Sequence, residues 1–357
     1  MENSRFLKAC RREQVDCTPI WFMRQAGRYM SVFRKVREKH SLLTVCKTPE
    51  LATEVTLQPV ARFDLDAAII FADILLPIEP MGLHLDFVKG EGPTIFNPLQ
   101  NKKDVEALKP VDPESDLRFV MDAIRMVRPS LKIPLIGFAG APFTLASYMI
   151  EGGHSRNYIK TKLMMYGAPD VWNLLMTKLT TVLQDYLYAQ AAAGADVLQV
   201  FDSWIGALSV TDYRRFVLPY MKTLFLGLKK CAVPVIHFGT GTATLLKMQR
   251  EAGGDVIGLD WRIPINEGWN LVGHDIAVQG NLDPVLLFAP QIEIEKQVDE
   301  ILMLAENRPG HIFNLGHGIL PETPEENVEA VIEWVHKKSA RNVGASLATP
   351  NPEWPVR

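Results

Sequence analysis

Residues 171–201 read VWNLLMTKLTTVLQDYLYAQAAAGADVLQVF, a helical pattern followed at once by an apolar strand. Apolar residues recur every three or four positions from Val171 to Tyr186, as on the buried face of an amphipathic helix. The pattern continues to Gly194, which is predicted to end the helix, and residues 196–201 are predicted to form a buried strand. This stretch therefore predicts one helix–strand unit of an α/β fold.

Seven further apolar runs extend this alternation along the chain. Together the predicted strands lie at residues 19–23, 65–71, 133–139, 196–201, 233–238, 255–259, 276–280 and 311–315. Near-continuous apolar strands separated by helical patterns indicate a parallel sheet covered on both faces. About eight of them predict a single-domain (β/α)8 barrel of the TIM type, with an open doubly wound sheet as the alternative. We expect the long interval at residues 72–132 to hold excursions above the barrel.

The barrel is predicted to occupy residues 1–338, and a polar, Pro-containing tail at residues 339–357 is expected to be extended or disordered. The composition, 47% hydrophobic and 22% charged, is typical of a globular protein. A chain of 357 residues buries enough surface to fold without disulfides.

Thr323-Pro324-Glu325-Glu326 predicts the start of the last helix, with Thr323 as its N-cap.

The net charge of −3 hides a basic N-terminal segment, because residues 1–48 hold 11 Lys and Arg against 4 Asp and Glu. Such a segment binds nucleic acid or a small polyanion, or forms only a solvated face. No basic stripe interleaved with aromatic residues recurs, so we expect no nucleic acid partner.

The four cysteines form no C-x-x-C pair and indicate neither a zinc site nor a disulfide framework. With no signal peptide or membrane span visible, we expect a cytoplasmic protein.

Candidate functional residues follow the apolar runs, at the strand ends where a barrel carries its site. Arg24 and Arg28 lie around a turn after the first run, and two guanidiniums on one side of a turn suit carboxylates or phosphates. Two surface ion pairs are the alternative. Asp73 follows the second run, where it either faces the barrel mouth as an acid–base or cation-stabilising group or caps a helix.

Three more polar residues follow later strands. Tyr148 comes after a Gly-Ala-Pro turn, where it either hydrogen-bonds a ligand or packs half-buried. His317 stands between two glycines, which let backbone approach a ligand closely. His237 also follows a strand and is interpreted as a core histidine.

Two long stretches resemble the signatures of one known family. Residues 19–29, PIWFMRQAGRY, are similar to the N-terminal signature of the bacterial-type uroporphyrinogen decarboxylases. Residues 137–153, GFAGAPFTLASYMIEGG, are similar to the second signature. Shorter matches lie at residues 71–75, 200–204, 258–261 and 314–318, and the likeness runs from about residue 3 to residue 338.

The resemblance implies a (β/α) barrel, usually a homodimer, acting in haem and tetrapyrrole synthesis. It implies removal of CO2 from the four acetate side chains of uroporphyrinogen III, giving coproporphyrinogen III, with no metal or organic cofactor and no membrane partner. Arg24 and Asp73 are the catalytic candidates.

The family pattern also implies which residues bind substrate. The segment Arg24, Gln25, Ala26, Gly27 and Arg28 matches the part that binds substrate carboxylates, and Asp73 matches the contact to the central pyrrole N–H groups. Tyr148, Ser203 and His317 match further substrate contacts, and Phe201 matches an aromatic residue lining the cleft. Trp204 lies where family members differ, some having His, and no role is assigned to it.

The implied chemistry needs an electron sink, because loss of CO2 from an acetate leaves a carbanion. A pyrrole protonated at a ring carbon supplies that sink, so the enzyme must position it, deliver a proton and stabilise the ring cation. The Asp73 carboxylate suits the last task, and the basic segment suits a substrate rich in carboxylates. Arg24, a carboxyl group and a bound water are the candidate proton donors, and the sequence does not choose among them.

Two alternative functions would each require different residues from those in this sequence. Cobalamin-dependent methyl transfer on a related barrel uses zinc held by a His-x-Cys segment and a later Cys. Here Phe238 and Gly239 follow His237, and no Cys follows Cys231. A non-catalytic tetrapyrrole-binding protein is expected to lack Asp73 or the arginines, and all are present.

Overall fold

The structure is a computed structural model that describes residues 3–88, 90 and 92–341. Its strands are β1 Ala68–Ile69, β2 Leu85–Val88, β3 Gly92–Ile95, β4 Leu135–Gly140, β5 Val197–Asp202, β6 Val235–Gly239, β7 Val256–Gly258, β8 Ala277–Gln279 and β9 His311–Ile312. Seven of them form one parallel sheet in the order β1-β4-β5-β6-β7-β8-β9, while β2 and β3 pair as an antiparallel hairpin. Sequential parallel neighbours joined by helices are what the alternating pattern predicts.

Helices occupy most of the intervals between these strands. They are α1 Arg5–Cys10, α2 Ser31–Lys39, α3 Leu42–Lys47, α4 Pro49–Arg62, α5 Lys102–Glu106, α6 Pro113–Asp116, α7 Arg118–Val127, α8 Pro142–Glu151, α9 Ile159–Gly167, α10 Pro169–Ala193, α11 Val210–Phe216, α12 Leu218–Leu228, α13 Leu246–Ala252, α14 Ile265–Val272, α15 Gln291–Ala305 and α16 Glu325–Ser339. None of the described helices is long and apolar enough to cross a membrane.

The sheet closes through residues 19–21, within the first predicted strand. Phe313 N–H donates to Pro19 O at 2.8 Å on the β9 side, and Asp66 N–H donates to Ile20 O at 2.9 Å on the β1 side. The α/β barrel architecture is therefore confirmed. Among the described residues this segment is a bridge rather than a full eighth strand, because side chains take its further N–H groups: Ile20 N–H donates to Asp66 and Met23 N–H donates to Asn314.

A series of hydrogen-bonded side chains crosses the interior of the barrel. Trp21 Nε1 donates to Gln279 Oε1 at 2.9 Å, and Gln279 Nε2 donates to Gln199 Oε1 at 3.3 Å. These bonds join the closing segment, β8 and β5, which are not neighbours around the sheet, so the side chains must span the lumen. All three residues are almost fully buried, and each polar contact offsets the cost of removing these groups from water.

The predicted 171–194 helix is confirmed as α10, and Gly194 ends it with a positive φ of 122°. The predicted N-cap at Thr323 is wrong. Pro324 occupies the N-cap position of α16, and the Thr323 hydroxyl donates backwards to Leu320 O at 2.8 Å, so it is not available to cap the helix.

The interval 72–132 holds the β2–β3 hairpin and helices α5 to α7, as expected for an excursion from the barrel. Of the tail predicted at residues 339–357, Ser339 ends α16 and accepts a hydrogen bond from Thr18 N–H at 2.8 Å. Arg341 N–H donates to Asp16 O at 2.7 Å. Residues 342–357 lie outside the described residues.

Candidate active site

The turn at residues 22–30 follows the closing segment and carries both predicted arginines. Gln25 holds the turn: its side-chain oxygen accepts from Phe22 N–H at 3.2 Å, and its side-chain nitrogen donates to Ala67 O at 3.1 Å. Gln25 is 1% exposed, so its side chain shapes the turn from within. Its predicted contact with substrate stays a prediction.

Arg24 and Arg28 are exposed at this turn, and neither forms an ion pair within the described part of the chain. This speaks against the alternative of two surface ion pairs. Arg24 has a left-handed backbone with φ 61°, which is uncommon for a non-glycine residue and is often found at functional sites. A Cβ at Gly318 would lie 2.5 Å from Arg24 Cδ, so the stem of Arg24 rests against this glycine. Ala26 and Gly27 are half-buried between the two arginines.

Asp73 lies in the loop after β1 and is half-buried. Its Oδ1 accepts from Leu75 N–H at 2.9 Å, just before the 3-10 turn Leu76–Ile78. Removal from water raises the pKa of Asp73, while the Leu75 N–H and the Arg24 charge oppose that rise. Oδ2 makes no hydrogen bond to any described residue. One oxygen therefore fixes the loop and the other is available to a ligand, while the N-cap position of the turn belongs to Leu75. A catalytic role for Asp73 stays a prediction.

Tyr148 lies on α8, where its ring stacks on Trp204 with ring centroids 3.7 Å apart. Burial raises the pKa of Tyr148, the Asp73 carboxylate raises it further, and the Arg24 charge lowers it. Within the described residues the phenol has no hydrogen-bond partner. A neutral phenol beside a carboxylate and a guanidinium can donate or accept a hydrogen bond from a ligand.

Phe201 and Ser203 lie at the end of β5. The Phe201 ring packs edge-on against Phe138 at 5.5 Å and Phe238 at 5.9 Å, which makes an aromatic row across three adjacent strands. Ser203 is half-buried, and its carbonyl oxygen accepts from the Thr240 hydroxyl. The row supplies an apolar wall next to the polar groups of the strand ends.

His317 follows β9 and is half-buried. Burial and the Arg24 charge lower the pKa of His317 to about 4. The imidazole is therefore neutral near neutral pH and can both donate and accept a hydrogen bond. Its ring meets the Trp261 ring edge-on at 6.3 Å, and the Arg262 guanidinium stacks over that same tryptophan at 3.8 Å.

Arg24 links these residues into one site. Its charge acts on the pKa of Asp73, Tyr148 and His317, which follow β1, β4 and β9 respectively. Interactions of this kind weaken with distance, so these three residues, distant in sequence, lie near one guanidinium. Arg28 is not among the groups that perturb these three residues, and it lies exposed further along the turn.

The basic segment at residues 1–48 serves the site only in part. Arg5 pairs with Asp66 at 3.0 Å, and Arg34 donates to the carbonyl oxygens of Arg28 and Tyr29 at 2.8 Å. These contacts are structural, so only part of the excess charge is available to a polyanion. Several of these cations hold the fold together, and the charge balance of a segment does not reveal which side chains reach a cleft.

Two charged residues follow strand ends but receive no role from the sequence. Asp202 ends β5 fully buried, its Oδ1 accepts from Thr144 Oγ1 at 2.8 Å, and burial raises its pKa to about 7. Arg262 lies two residues after Asp260, with which it pairs at 2.7 Å, and its charge lowers the pKa of His317. The sequence signal for Arg262 is an arginine just past a strand end. The burial of Asp202 behind α8 had no signal in the sequence.

His237 is fully buried on β6 with its ring 4.7 Å from the Phe225 ring, which agrees with its interpretation as a core histidine. Across the described ranges, no group of three or more His, Cys, Asp or Glu side chains is placed to hold a metal ion. That the protein works without a metal or organic cofactor stays a prediction.

The model of the family described as uroporphyrinogen decarboxylase (URO-D) matches residues 1–338. The chain belongs to the uroporphyrinogen decarboxylase family. The resemblance inferred from the two signatures is thereby confirmed. A relative named uroporphyrinogen decarboxylase in Sorangium cellulosum is 56% identical over 94% of this chain and 96% of its own length. Another with that name in Carboxydothermus hydrogenoformans is 55% identical over 95% of this chain and 97% of its own length.

Solved structures share the fold at much lower identity. A methyltransferase from Methanosarcina mazei superimposes with a TM-score of 0.78 at 20% identity, covering 94% of this chain and 98% of its own. A B12-independent methionine synthase from Shewanella superimposes with a TM-score of 0.55 at 13% identity, over 81% of this chain and 88% of its own. At these identities the likeness shows the barrel fold alone.

Proposed function

We propose that this chain is a carboxy-lyase that decarboxylates uroporphyrinogen in tetrapyrrole biosynthesis. The observation that supports this proposal most directly is the half-buried Asp73 carboxylate near Arg24. One of its oxygens makes no hydrogen bond to a described residue. An anion in a partly dry pocket stabilises positive charge on a bound group far better than it does in water. The family supplies a substrate on which such a charge develops.

The site's groups divide the work of the reaction. Arg24 and Arg28 are exposed guanidiniums suited to substrate carboxylates, and Arg262 adds a third cation on the His317 side. Asp73 Oδ2 accepts from pyrrole N–H groups and opposes the charge that appears when a ring carbon is protonated. Neutral His317 and Tyr148 donate hydrogen bonds to the remaining carboxylates, and Phe201 covers the apolar edge of the macrocycle.

Electrons from the broken C–C bond enter the protonated pyrrole ring, so the substrate itself serves as the electron sink. A proton then adds to the exocyclic carbon to form the methyl group, and the proton on the ring carbon leaves to restore the pyrrole. Arg24, a carboxyl group and a bound water stay the candidate proton donors, because a guanidinium holds its proton too tightly for Arg24 to be the obvious source. We further propose that the four acetate groups of uroporphyrinogen III all react, giving coproporphyrinogen III, and that the protein acts in the cytoplasm as a homodimer.

The test is anaerobic incubation with uroporphyrinogen III, followed by chromatography of the oxidised products. Stepwise appearance of species with seven to four carboxyl groups is expected, and it should persist after exhaustive chelation and dialysis. Unchanged substrate alongside a folded protein would exclude the activity. Sedimentation tests the dimer separately, and a species of only 40.1 kDa at micromolar protein would contradict it.

A further inference from the structure

Trp204 stands against the ring of Tyr148. The two centroids lie 3.7 Å apart with 33° between the ring planes, closer than any other aromatic pair in the described residues. The Tyr148 hydroxyl makes no hydrogen bond to a described residue. Packing, and not a polar anchor, therefore sets where this phenol points, and Trp204 provides one face of that packing.

The backbone of Trp204 is bonded to the same helix that carries Tyr148. Trp204 N–H donates to Thr144 Oγ1 at 3.3 Å, and Thr144 Oγ1 donates to the buried Asp202 Oδ1 at 2.8 Å. Thr144 and Tyr148 are four residues apart on α8, so they lie on one face, one turn apart. The loop after β5 thus contacts α8 at two successive turns.

Two more aromatic rings contact the ring of Trp204. Tyr158 lies 5.2 Å and His154 lies 5.9 Å from the Trp204 ring, and both approach it edge-on. Both residues belong to the segment that follows α8. Trp204 therefore contacts both Tyr148 and the segment that follows α8.

We propose that Trp204 is a positioning residue for Tyr148, which it orients toward the cleft through the stacked ring. Trp204 itself need not touch the reacting atoms. This inference rests on the proposed function, because Tyr148 is there a substrate contact. It assigns a role in substrate orientation to a position to which the family resemblance assigns none.

The first measurement compares three variants after the parent protein has been shown to turn over uroporphyrinogen. Trp204→Leu keeps apolar bulk without a π face and should lower kcat/KM roughly ten- to a hundredfold through misplacement of the phenol. Trp204→Phe keeps a smaller ring and should recover most of that loss. Tyr166→Leu is the control, because its ring packs on Phe216 instead, at 5.8 Å, and activity should be unchanged.

The second measurement separates positioning from mere stability. Trp204→Leu is introduced into a Tyr148→Phe background, and kcat/KM and the substrate Kd from equilibrium dialysis are compared across the cycle. If Trp204 acts through the phenol, its replacement should cost less than about threefold once the hydroxyl is gone. An equal loss in both backgrounds, or Trp204→Leu within twofold of the parent, would overturn the proposal. Inactivity of the parent protein would instead count against the proposed function.

Discussion

Asp73 uses one carboxylate oxygen in the fold and leaves the other open to the candidate site. Its Oδ1 accepts from Leu75 N–H and fixes the loop after β1, while its Oδ2 has no partner among the described residues. Burial raises the pKa of this carboxyl, and the nearby Arg24 charge keeps the rise in check. The carboxylate is therefore held in a partly dry environment without being neutralised by a direct ion pair.

Asp73→Asn separates the two tasks, because an amide oxygen can still accept from Leu75 N–H. We expect turnover to fall by roughly 10²–10³ with much less change in substrate binding, since the lost charge matters most when the ring is cationic. Single-turnover decarboxylation and the melting temperature are the measurements. Asp86→Asn is the control, because that exposed carboxylate also bonds a neighbouring N–H, and near-normal turnover of Asp73→Asn would refute a catalytic role.

His317 leads to a prediction about pH. Its pKa of about 4 lies below the ordinary value because burial, and then the Arg24 cation, disfavour the imidazolium. The neutral ring is present at all pH values well above this pKa, so His317 should produce no activity change across about pH 5.5–8. His317→Gln should lower kcat/KM without altering the shape of this part of the profile. An inflection near 6.5 in the parent that vanishes in the variant would contradict this.

The lowered pKa of His317 also makes the stability of the protein depend on pH. In the unfolded chain the imidazole takes up a proton at its ordinary pKa, near 6.5, whereas in the folded protein it does so only near 4. The unfolded state therefore binds more protons between these values, and the contribution of His317 to stability falls as pH drops through this window.

At the scale of elements, the sequence predicts where strands lie better than where they end. The run at residues 311–315 covers β9, but only His311 and Ile312 are paired as a strand. The run continues because Phe313 and Leu315 are buried in the core, and burial gives the same apolar signal as pairing. Thr323 failed as a cap for a similar reason: its carbonyl partner, Leu320, lies in a loop whose path the sequence does not specify.

Contacts between loops were beyond sequence reasoning altogether. The strand-end rule predicts Arg24, Asp73 and His317 at one mouth, because Asp73 and His317 follow strands of one parallel sheet and Arg24 follows the segment that closes it. It could not reveal that Trp204 stacks on Tyr148 or that Arg24 lies on Gly318, since those contacts depend on how separate loops fold over one another.

Gly318→Ala tests the contact between two such loops. A Cβ there would lie 2.5 Å from Arg24 Cδ, and the flexible side chain of Arg24 can move to relieve the clash. We therefore expect a nearly unchanged melting temperature but a loss of roughly tenfold in kcat/KM, because the guanidinium is displaced. Gly167→Ala is the matched control, because nothing lies within 4 Å of its added methyl group. Full activity of Gly318→Ala would show that the position of Arg24 is not critical.

At the scale of the whole molecule, Asp66 joins the segment that closes the barrel to the first and last described helices. Its Oδ2 accepts from Ile20 N–H at 2.8 Å and from His336 Nε2 at 2.7 Å, and its Oδ1 accepts from Arg5 Nη1 at 3.0 Å. These partners belong to the closing segment, α16 and α1. One nearly buried carboxylate thus connects both ends of the described chain to the seam of the sheet, opposite in the strand direction to the active-site loops.

Asp66→Ala should therefore weaken the whole fold without touching the chemistry. Removing a buried carboxylate leaves the Ile20 N–H without its acceptor and leaves Arg5 paired only with Asp16, which costs roughly 2–4 kcal/mol of unfolding free energy. Asp64→Ala is the control, because its side chain is 90% exposed and lies 3.6 Å from His336, where an ion pair contributes little. Denaturant unfolding measures the stability of both variants, and kcat/KM is measured on the folded fraction. If Asp66→Ala were as stable as Asp64→Ala, the barrel would not depend on this junction, because Ile20, Arg5 and His336 would then be held well enough by their packing alone.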